Sequence, residues 1–507
     1  MFDFIKDFKN LYMKPNKSES NKPVKQFLSK ILKENIEHFK KEFGQSADLT
    51  IREMEIAGLD GAIITMEGMV DKRTLATSVV NQIVNTKFNE DTPMKKYEKL
   101  RDDVISSSEQ VQVDTYEDAF NLVMSGFALI AIDGCDCMLA IGVQGFNFRS
   151  VSEPTSEVMQ RGSREGFVEP LRVNMTLIRR RIKNTKLKFE LSKVGTLSKT
   201  DICLCYLTDK VSPKLLKEVK EKLKSVDLES VMAAGYITPY LEEKHDMSPF
   251  SSIGTSERPD TICGKLSEGR IAIIIDGTPN VLIMPYLFIE YFQHLDDYAI
   301  RPYFATLTRW LKYIAFFIAT LLPGLYVGIS TFNPEFLPNA LLGKIAVAVG
   351  STPFPLVVET LLIHFMYELM REAGLRLPKP LGHAVSIVGG LVIGETAVSS
   401  GLLGAPTLMV VALTAISSYV IPNLYEPIAL LRLIFILAGG MMGIWGIMLL
   451  FAVVLVNLCA KNNFGVPFMA PIAPFGMFGM RDVIVRASWK VLSKKNNKIQ
   501  EMPGSEL

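Results

Sequence analysis

Residues 311–330 read LKYIAFFIATLLPGLYVGIS. Lys312 is the sole charge in this run, and Trp310 stands immediately before it. About twenty apolar residues in helical conformation span the hydrocarbon core of a bilayer, and Trp favours the interface. The stretch therefore predicts a membrane span, and it divides the chain of 507 residues into two unlike parts. Before about Glu290 charges are dense and apolar runs are short; from about Leu311 to Ala460 apolar residues dominate. The mean hydropathy of +0.22 averages over that split. A net charge of +2 gives no bulk attraction for nucleic acid.

Further spans are expected at 384–404, at 407–421 and at 429–460, the last long enough to be tilted or bent near Gly439-Gly440. The stretch 341–370 is apolar but is interrupted by Pro353 and Pro355, and it carries Lys344, Glu359, His364 and Glu368. On a helix starting near Pro355, Thr360, His364, Glu368 and Arg371 fall on one stripe. Such a stripe faces protein, a partner or water rather than lipid. The tail after Ala460 carries Lys461, Arg481, Arg486, Lys490, Lys494, Lys495 and Lys498, which places it in the cytosol. The amino terminus, MFDFIKDFKNLYMKPNK, has neither an apolar core nor a small-residue cleavage site, so the N-terminal domain is expected there too. Two cytosolic ends require an even number of crossings. Five candidate segments conflict with that, so one is re-entrant or split; 341–370 is the suspect, although the basic loop REAGLRLPKP (371–380) favours an inside location at its end.

Glu359, His364, Glu368 and Glu395 are the candidate ion pathway. A carboxylate at bilayer depth costs roughly 3 kcal/mol on insertion scales, so each needs water, an ion or a partner. The competing reading is internal pairing: His364 and Glu368 are i,i+4 neighbours, and Lys344 or Arg432 can serve the other two. On 384–404, Ser386, Gly390, Gly394, Ala397 and Gly401 line one face, a small-residue surface for close helix packing within a chain or between chains.

The part before the spans alternates strand and helix patterns. Two apolar runs flank Asp133-Gly134 in GFALIAIDGCDCMLAIGV (126–143), a hairpin signal. GRIAIIIDGTPNVLIMP (269–285) repeats the arrangement around Asp276-Gly277. Two α/β lobes follow from this echo. The fold class is thus a two-lobed α/β soluble N-terminal domain followed by an all-α polytopic transmembrane domain. The divisions expected are 1–45 (basic linker and amphipathic helix), 46–160 (lobe 1), 161–300 (lobe 2), 301–460 (transmembrane helices) and 461–507 (basic cytoplasmic tail). Helical spacing of Phe27, Ile31, Ile36, Phe39 and Phe43 ends at Gly44; this helix either docks on lobe 1 or lies on anionic lipid. The basic stretch between the lobes holds Arg161, Arg164, Glu165, Arg179, Arg180 and Arg181, a coupling linker or a solvated helix.

No Walker loop, Rossmann glycine fingerprint, H-E-x-x-H or G-x-S-x-G is present, so no enzyme, cofactor or metal reading arises. The six cysteines show no C-x-x-C spacing and read as small buried hydrophobes in a reducing compartment.

Several stretches resemble the A subunits of the spore germinant receptor family, the GerA type. They are GSREGFVEPLRVNMTLIRRRI (162–182), SERPDTICGKLSEGRIAIIIDGTPNVLIMP (256–285) and YFQHLDDYAIRPYFATLTRWLKY (291–313). STPFPLVVETLLIHFMYELMREAGLRLPKP (351–380) and SIVGGLVIGETAVSSGLL (386–403) match as well. The resemblance runs from about 110 to about 490; Ser163 stands where the family usually has proline. It implies a spore inner-membrane protein acting with a transporter-like B subunit, which binds the nutrient, and a lipoprotein C subunit. It also implies homo-oligomers enclosing an ion pore opened by germinant. A non-conducting scaffold subunit, or an A-type paralogue amplifying ion release, fits the same residues.

Overall fold

The computed structural model describes residues 26–105, 109–145, 154, 157, 159–243, 248–377, 394–493 and 498–507. Helix α1 (Leu32–Phe43) leads into β1 (Leu49–Ile56) and β2 (Leu59–Met66). Ala57 and Gly58 join these strands with φ of 56° and 74°, the mirror-image turn that matches strand twist. Strands β3 (Gln110–Val113), β4 (Phe127–Ile132) and β5 (Met138–Gly142) complete an antiparallel sheet in the order β1-β2-β4-β5-β3. Every residue of β4 is buried, because both faces of the sheet are covered. On one face lie α1 and α2 (Tyr116–Val123); on the other lie helical stretches spanning 72–85 and 93–104. Leu32, Ile36, Phe39 and Phe43 of α1 are in the core, whereas Phe27 and Ile31 precede the helix and are exposed. The apolar face of α1 is spent on lobe 1 rather than on lipid.

Lobe 2 repeats this plan. Helix α3 (Leu171–Arg181) precedes β6 (Leu187–Val194) and β7 (Thr200–Leu207), followed by α4 (Pro213–Lys224). Then come β8 (Gly254–Ser256), α5 (Pro259–Ser267), β9 (Ile271–Ile275) and β10 (Val281–Met284). The sheet order β6-β7-β9-β10-β8 is that of lobe 1. The repeat extends to single hydrogen bonds. The N–H of Leu32 donates to Asp133 Oδ1 at 2.9 Å, and that of Leu171 to Asp276 Oδ1 at 2.9 Å. Gly134 N donates to Lys30 O, and Gly277 N to Glu169 O. The Asn35 side chain closes a loop on the backbone of Ser29, and Asn174 does so on Val168. Each Asp-Gly hairpin turn therefore also satisfies the first N–H of a helix far away in sequence.

The lobes are joined by Arg179, 1% exposed, which donates from Nε to Asp48 Oδ2 (2.7 Å) and from Nη2 to Asp48 Oδ1 (3.1 Å). Nearby, burial first and then the Arg179 charge push the Lys188 ammonium down to about 8; it donates to the carbonyls of Glu42 and Thr185.

A helical bundle follows. Helix α6 (Pro302–Phe332) leaves lobe 2, and α7 (Asn339–Gly350) and α8 (Leu356–Arg376) come next. After them stand α9 (Gly394–Ser399), α10 (Ala405–Tyr419) and α11 (Tyr425–Ala460). Helix α6 and α11 are long and apolar enough to cross a membrane. The bend expected near Gly439-Gly440 is a reversal at Gly443, whose φ of 60° and ψ of −144° are not helical. A Cβ on Gly446 would lie 2.5 Å from the carbonyl oxygen of Ala438. On a straight helix those residues are roughly 12 Å apart. The first half of α11 runs beside α6 in the same direction: Gly324 meets Phe435, and Gly328 meets Gly443. The second half returns, and Leu458 packs with Phe250, Phe288 and Phe292 at lobe 2. Helix α8 also runs toward the lobes, from Val357 against Gly440 to Glu368 against Tyr425 and Arg432. Helix α10 does the same, from Thr407 beside Tyr326 to Ser418 beside Arg432. The described residues flanking 378–393 stand at opposite ends of the bundle: Arg371 beside Tyr425, and Gly394 beside Leu408 near the start of α10.

Residues 461–493 and 498–507 return to lobe 2. Lys461 donates to Phe250 O, Asn463 to Ser252 Oγ (2.6 Å), and Ile499 N to Glu268 O (2.9 Å). Phe464 is part of the lobe 2 core.

Replacing Arg179 with Met is expected to destabilise the packing of the two lobes by about 3–5 kcal/mol, because Asp48 is left buried without its cation. The double variant Arg179→Met/Asp48→Leu is expected to recover most of that loss. Amide exchange in β1 and β6 of the detergent-solubilised chain reads both.

Candidate functional site

Two polar assemblies lie in and beneath the bundle. The first is a seam between α8, α10 and α11. Glu359, with no exposed surface, sits one turn into α8. Its Oε1 accepts from the N–H of Gly404 at 2.7 Å, and its Oε2 stands 3.4 Å from Thr352 Oγ1. Gly404 is the N-cap residue of α10, so the carboxylate occupies the positive end of that helix. The next residue along α8, Thr360, bonds back to Leu356 O; four residues further on, His364 is 1% exposed, with neither ring nitrogen hydrogen-bonded among the described residues.

Glu368 is not paired with His364. It accepts from Arg432 Nη2 at 2.7 Å, from Arg371 Nε at 3.0 Å, and from the Tyr425 hydroxyl at 2.7 Å. The i,i+4 pairing loses because a neutral imidazole offers less than a guanidinium and a phenol arriving from α11. Arg432 thus serves Glu368, not Glu359 or Glu395. Lys344 is exposed on α7.

Glu395 differs from the other three. It stands in the first turn of α9 and is exposed on the surface of the bundle. Of the small residues expected on its helix, Ala397 packs within the chain against Ile363, Leu403 and Val411. A Cβ on Gly394 would touch Leu408, and Gly401, with φ of 69°, approaches Ser351 O. Ser386 and Gly390 lie outside the described residues.

The second assembly is the joint where lobe 2, the start of α6 and the tail meet. Arg309 has no exposed surface and holds Asp297 (3.1 Å) and Asp482 (2.9 Å). Lys312 also reaches Asp297 at 3.1 Å, and the Tyr298 hydroxyl donates to Asp482 at 2.6 Å. Just inside the lobe, Glu290 bonds Arg270 (2.7 Å) and Lys265. Burial works against the Glu290 charge, yet Arg270 and Lys265 hold its carboxyl below the ordinary range. A cavity of about 470 Å³ opens between these groups, α5 and the 420–423 turn.

The linker residues contribute here in part. Arg161 N donates to Asp296 (3.3 Å), and Glu165 pairs with Arg180 (3.3 Å) and Arg181 (2.6 Å), while Arg179 locks the lobes. Arg164 is exposed. The residues that sequence reasoning passed over are Asp297, Arg309 and Asp482. Asp297 and Arg309 lie twelve residues apart in the 291–313 stretch, but the second carboxylate on Arg309, Asp482, is far down the chain in the tail. The glycine pairs Gly324/Gly328 and Gly439/Gly443, which let α6 and α11 touch, were also legible as i,i+4 spacing. Among the described residues no cluster of His, Cys, Asp and Glu has the make-up of a metal site.

Comparison with known proteins gives one consistent answer. The family model described as Bacillus/Clostridium GerA spore germination protein matches residues 37–498. Spore germination protein KA of Bacillus subtilis (strain 168) is 39% identical over 95% of this chain and 89% of its own length. The membrane protein YfkQ of the same organism, described as uncharacterized, is 35% identical over 92% of this chain and 91% of its own. The crystal structure of the N-terminal domain of the A subunit of the Bacillus megaterium spore germinant receptor GerK3 is 30% identical. It covers 52% of this chain and 98% of its own, with a TM-score of 0.42.

The seam predicts an ordered set of losses. Arg432→Met is expected to lower the stability of the bundle by about 2–3 kcal/mol, since Glu368 keeps only Arg371 and Tyr425. Glu359→Ala is expected to remove about 1–2 kcal/mol by orphaning the Gly404 N–H, and Glu359→Gln, which keeps an acceptor oxygen, clearly less. Denaturant titration in mild micelles gives the ranking.

Proposed function

The chain belongs to the GerA family of spore germination proteins, and from that premise we propose that it is the A subunit of a nutrient germinant receptor in the spore inner membrane. Its partners in this reading are a transporter-like B subunit that binds the nutrient and a lipoprotein C subunit. Its role is to turn that binding into cation release through a homo-oligomer.

The bundle supports a polytopic arrangement with six crossings. Helix α6 leads out from lobe 2 and α8 returns; α10 also returns, and the expected span at 384–404, largely outside the described residues, is the outward crossing between them in this reading. The two halves of α11, each of about 17 or 18 residues and so roughly 26 Å, lead out and back. Splitting the last span at Gly443, rather than making 341–370 re-entrant, gives the even count that two cytosolic ends require.

The observation that carries the conduction reading is the exposure of Glu395. A carboxylate on the surface of an apolar bundle costs roughly 3 kcal/mol against lipid. Facing a water-filled path enclosed by several copies, it keeps its hydration and attracts cations. Glu359 and His364, proposed with it as pathway residues from sequence, are buried within one bundle, and Glu368 is partly buried in the same seam. Their role in this reading is to hold α8, α10 and α11 together. A second reading, a non-conducting scaffold, draws on the same packing, because Glu359 and Glu368 are satisfied without any ion.

Spores carrying Glu395→Gln are expected to release monovalent cations at least tenfold more slowly on germinant addition, at normal protein level. Glu359→Gln spores are expected to stay within about twofold of the parent. Equal, normal release from both variants would favour the scaffold.

A further inference from the structure

The tail lies along the base of α6 in fixed register. Val483 O accepts from the Tyr313 hydroxyl (2.8 Å), and Ile484 O from Trp310 Nε1 (2.9 Å). Arg486 N donates to Thr306 Oγ1 (3.1 Å), and Trp489 Nε1 to Tyr298 O (3.1 Å). Residues 483–489 therefore descend from one turn inside the apolar run of α6 to the turn that joins it to lobe 2. With the backbone held this way, Ile484, Val485 and Trp489 turn outward and are 46%, 49% and 58% exposed. They extend the exposed apolar flank of α6 formed by Tyr303, Phe304, Leu307 and Trp310. Cations border the lower edge: Lys490 and Arg301 are exposed, and Arg486 lies under the Trp489 ring.

We infer that residues 483–489 are a membrane-interface anchor, with Ile484, Val485 and Trp489 in the acyl–headgroup boundary and Lys490 and Arg301 at lipid phosphates. The level fixes the occupant. The segment is hydrogen-bonded to α6 where that helix enters its apolar run, and there the surrounding medium changes from water to hydrocarbon. Trp and aliphatic side chains favour that boundary, and basic residues beside it favour anionic phosphate. Because the segment is also tied through Asp482 to Arg309 and Asp297, the anchor holds lobe 2 at a set height on the bilayer. The inference rests on the membrane reading of α6 and α11.

The chain has three tryptophans, at 310, 445 and 489. Full-length single-Trp variants in phosphatidylcholine/phosphatidylglycerol vesicles, with lipid brominated near the top of the acyl chain as quencher, test it. The variant retaining Trp489 is expected to lose at least half its emission to brominated lipid and little to aqueous iodide. The variant retaining Trp445, on the reversal of α11, reports the membrane reading itself. Quenching of Trp445 without quenching of Trp489 overturns the anchor and leaves the spans standing. Trp489 reached by iodide, or shielded from both quenchers by a second copy, also overturns it. Absence of lipid quenching at both positions removes the membrane reading. An environment-sensitive dye on the Val485→Cys/Cys459→Ser chain repeats the measurement without altering Trp489, and an aqueous spectrum there counts against the anchor.

Discussion

A guanidinium withdrawn wholly from water must be matched by carboxylates, and Arg309 is matched by two that come from separate parts of the chain. Asp297 belongs to the turn that closes lobe 2, and Asp482 to the tail. The requirement to satisfy one cation therefore pins the exit from lobe 2, the first apolar helix and the carboxy-terminal segment at one point. Leu458 and Phe468, just before that segment, share a core with Phe288 and Phe292 from the turn. The bundle is a loop whose two ends are held on the same lobe. The reversal at Gly443 brings the last helix back to that lobe.

The same accounting of charge separates the acidic side chains within the bundle. Glu359 has the N-terminus of α10, and Glu368 has Arg432, Arg371 and Tyr425. Both are built into the bundle, and their energies are spent on helix packing. Among the described residues, neither device matches the charge of Glu395, which is exposed on the bundle. Function is expected where a costly group is left for something outside the protomer to satisfy, and structure where the chain satisfies it itself. The buried arginine joining the lobes, Arg179 with Asp48, belongs to the second kind.

Much of the architecture was legible because it is local. Asp-Gly between two apolar runs announces a hairpin, and two such hairpins announced two lobes. The twenty-residue run after Trp310 announced a helix. What stayed hidden depends on distance or on backbone angles. Nothing local tells that Asp133 serves Leu32 across the sheet, or that Glu368 passes over His364 for Arg432, 64 residues away. Hydropathy is blind to the reversal at Gly443, since both halves of α11 are equally apolar and only the φ of one glycine marks the turn. The tail read as a basic extension because its partners, Arg309, Phe250 and Glu268, lie in other segments.

Helix α11 folds back on itself, so that both ends of the bundle sit at lobe 2. Met442 is exposed at the turn, and native Cys459 is exposed at the other end of the second half. Labelling of sealed vesicles of both orientations with an impermeant maleimide tests the claim on two chains, the native one and Met442→Cys/Cys459→Ser. The account predicts that Met442→Cys reacts from the face opposite to the one that exposes Cys459. Reaction of both from the same face, or protection of Met442→Cys from both faces as in one straight helix, would contradict it.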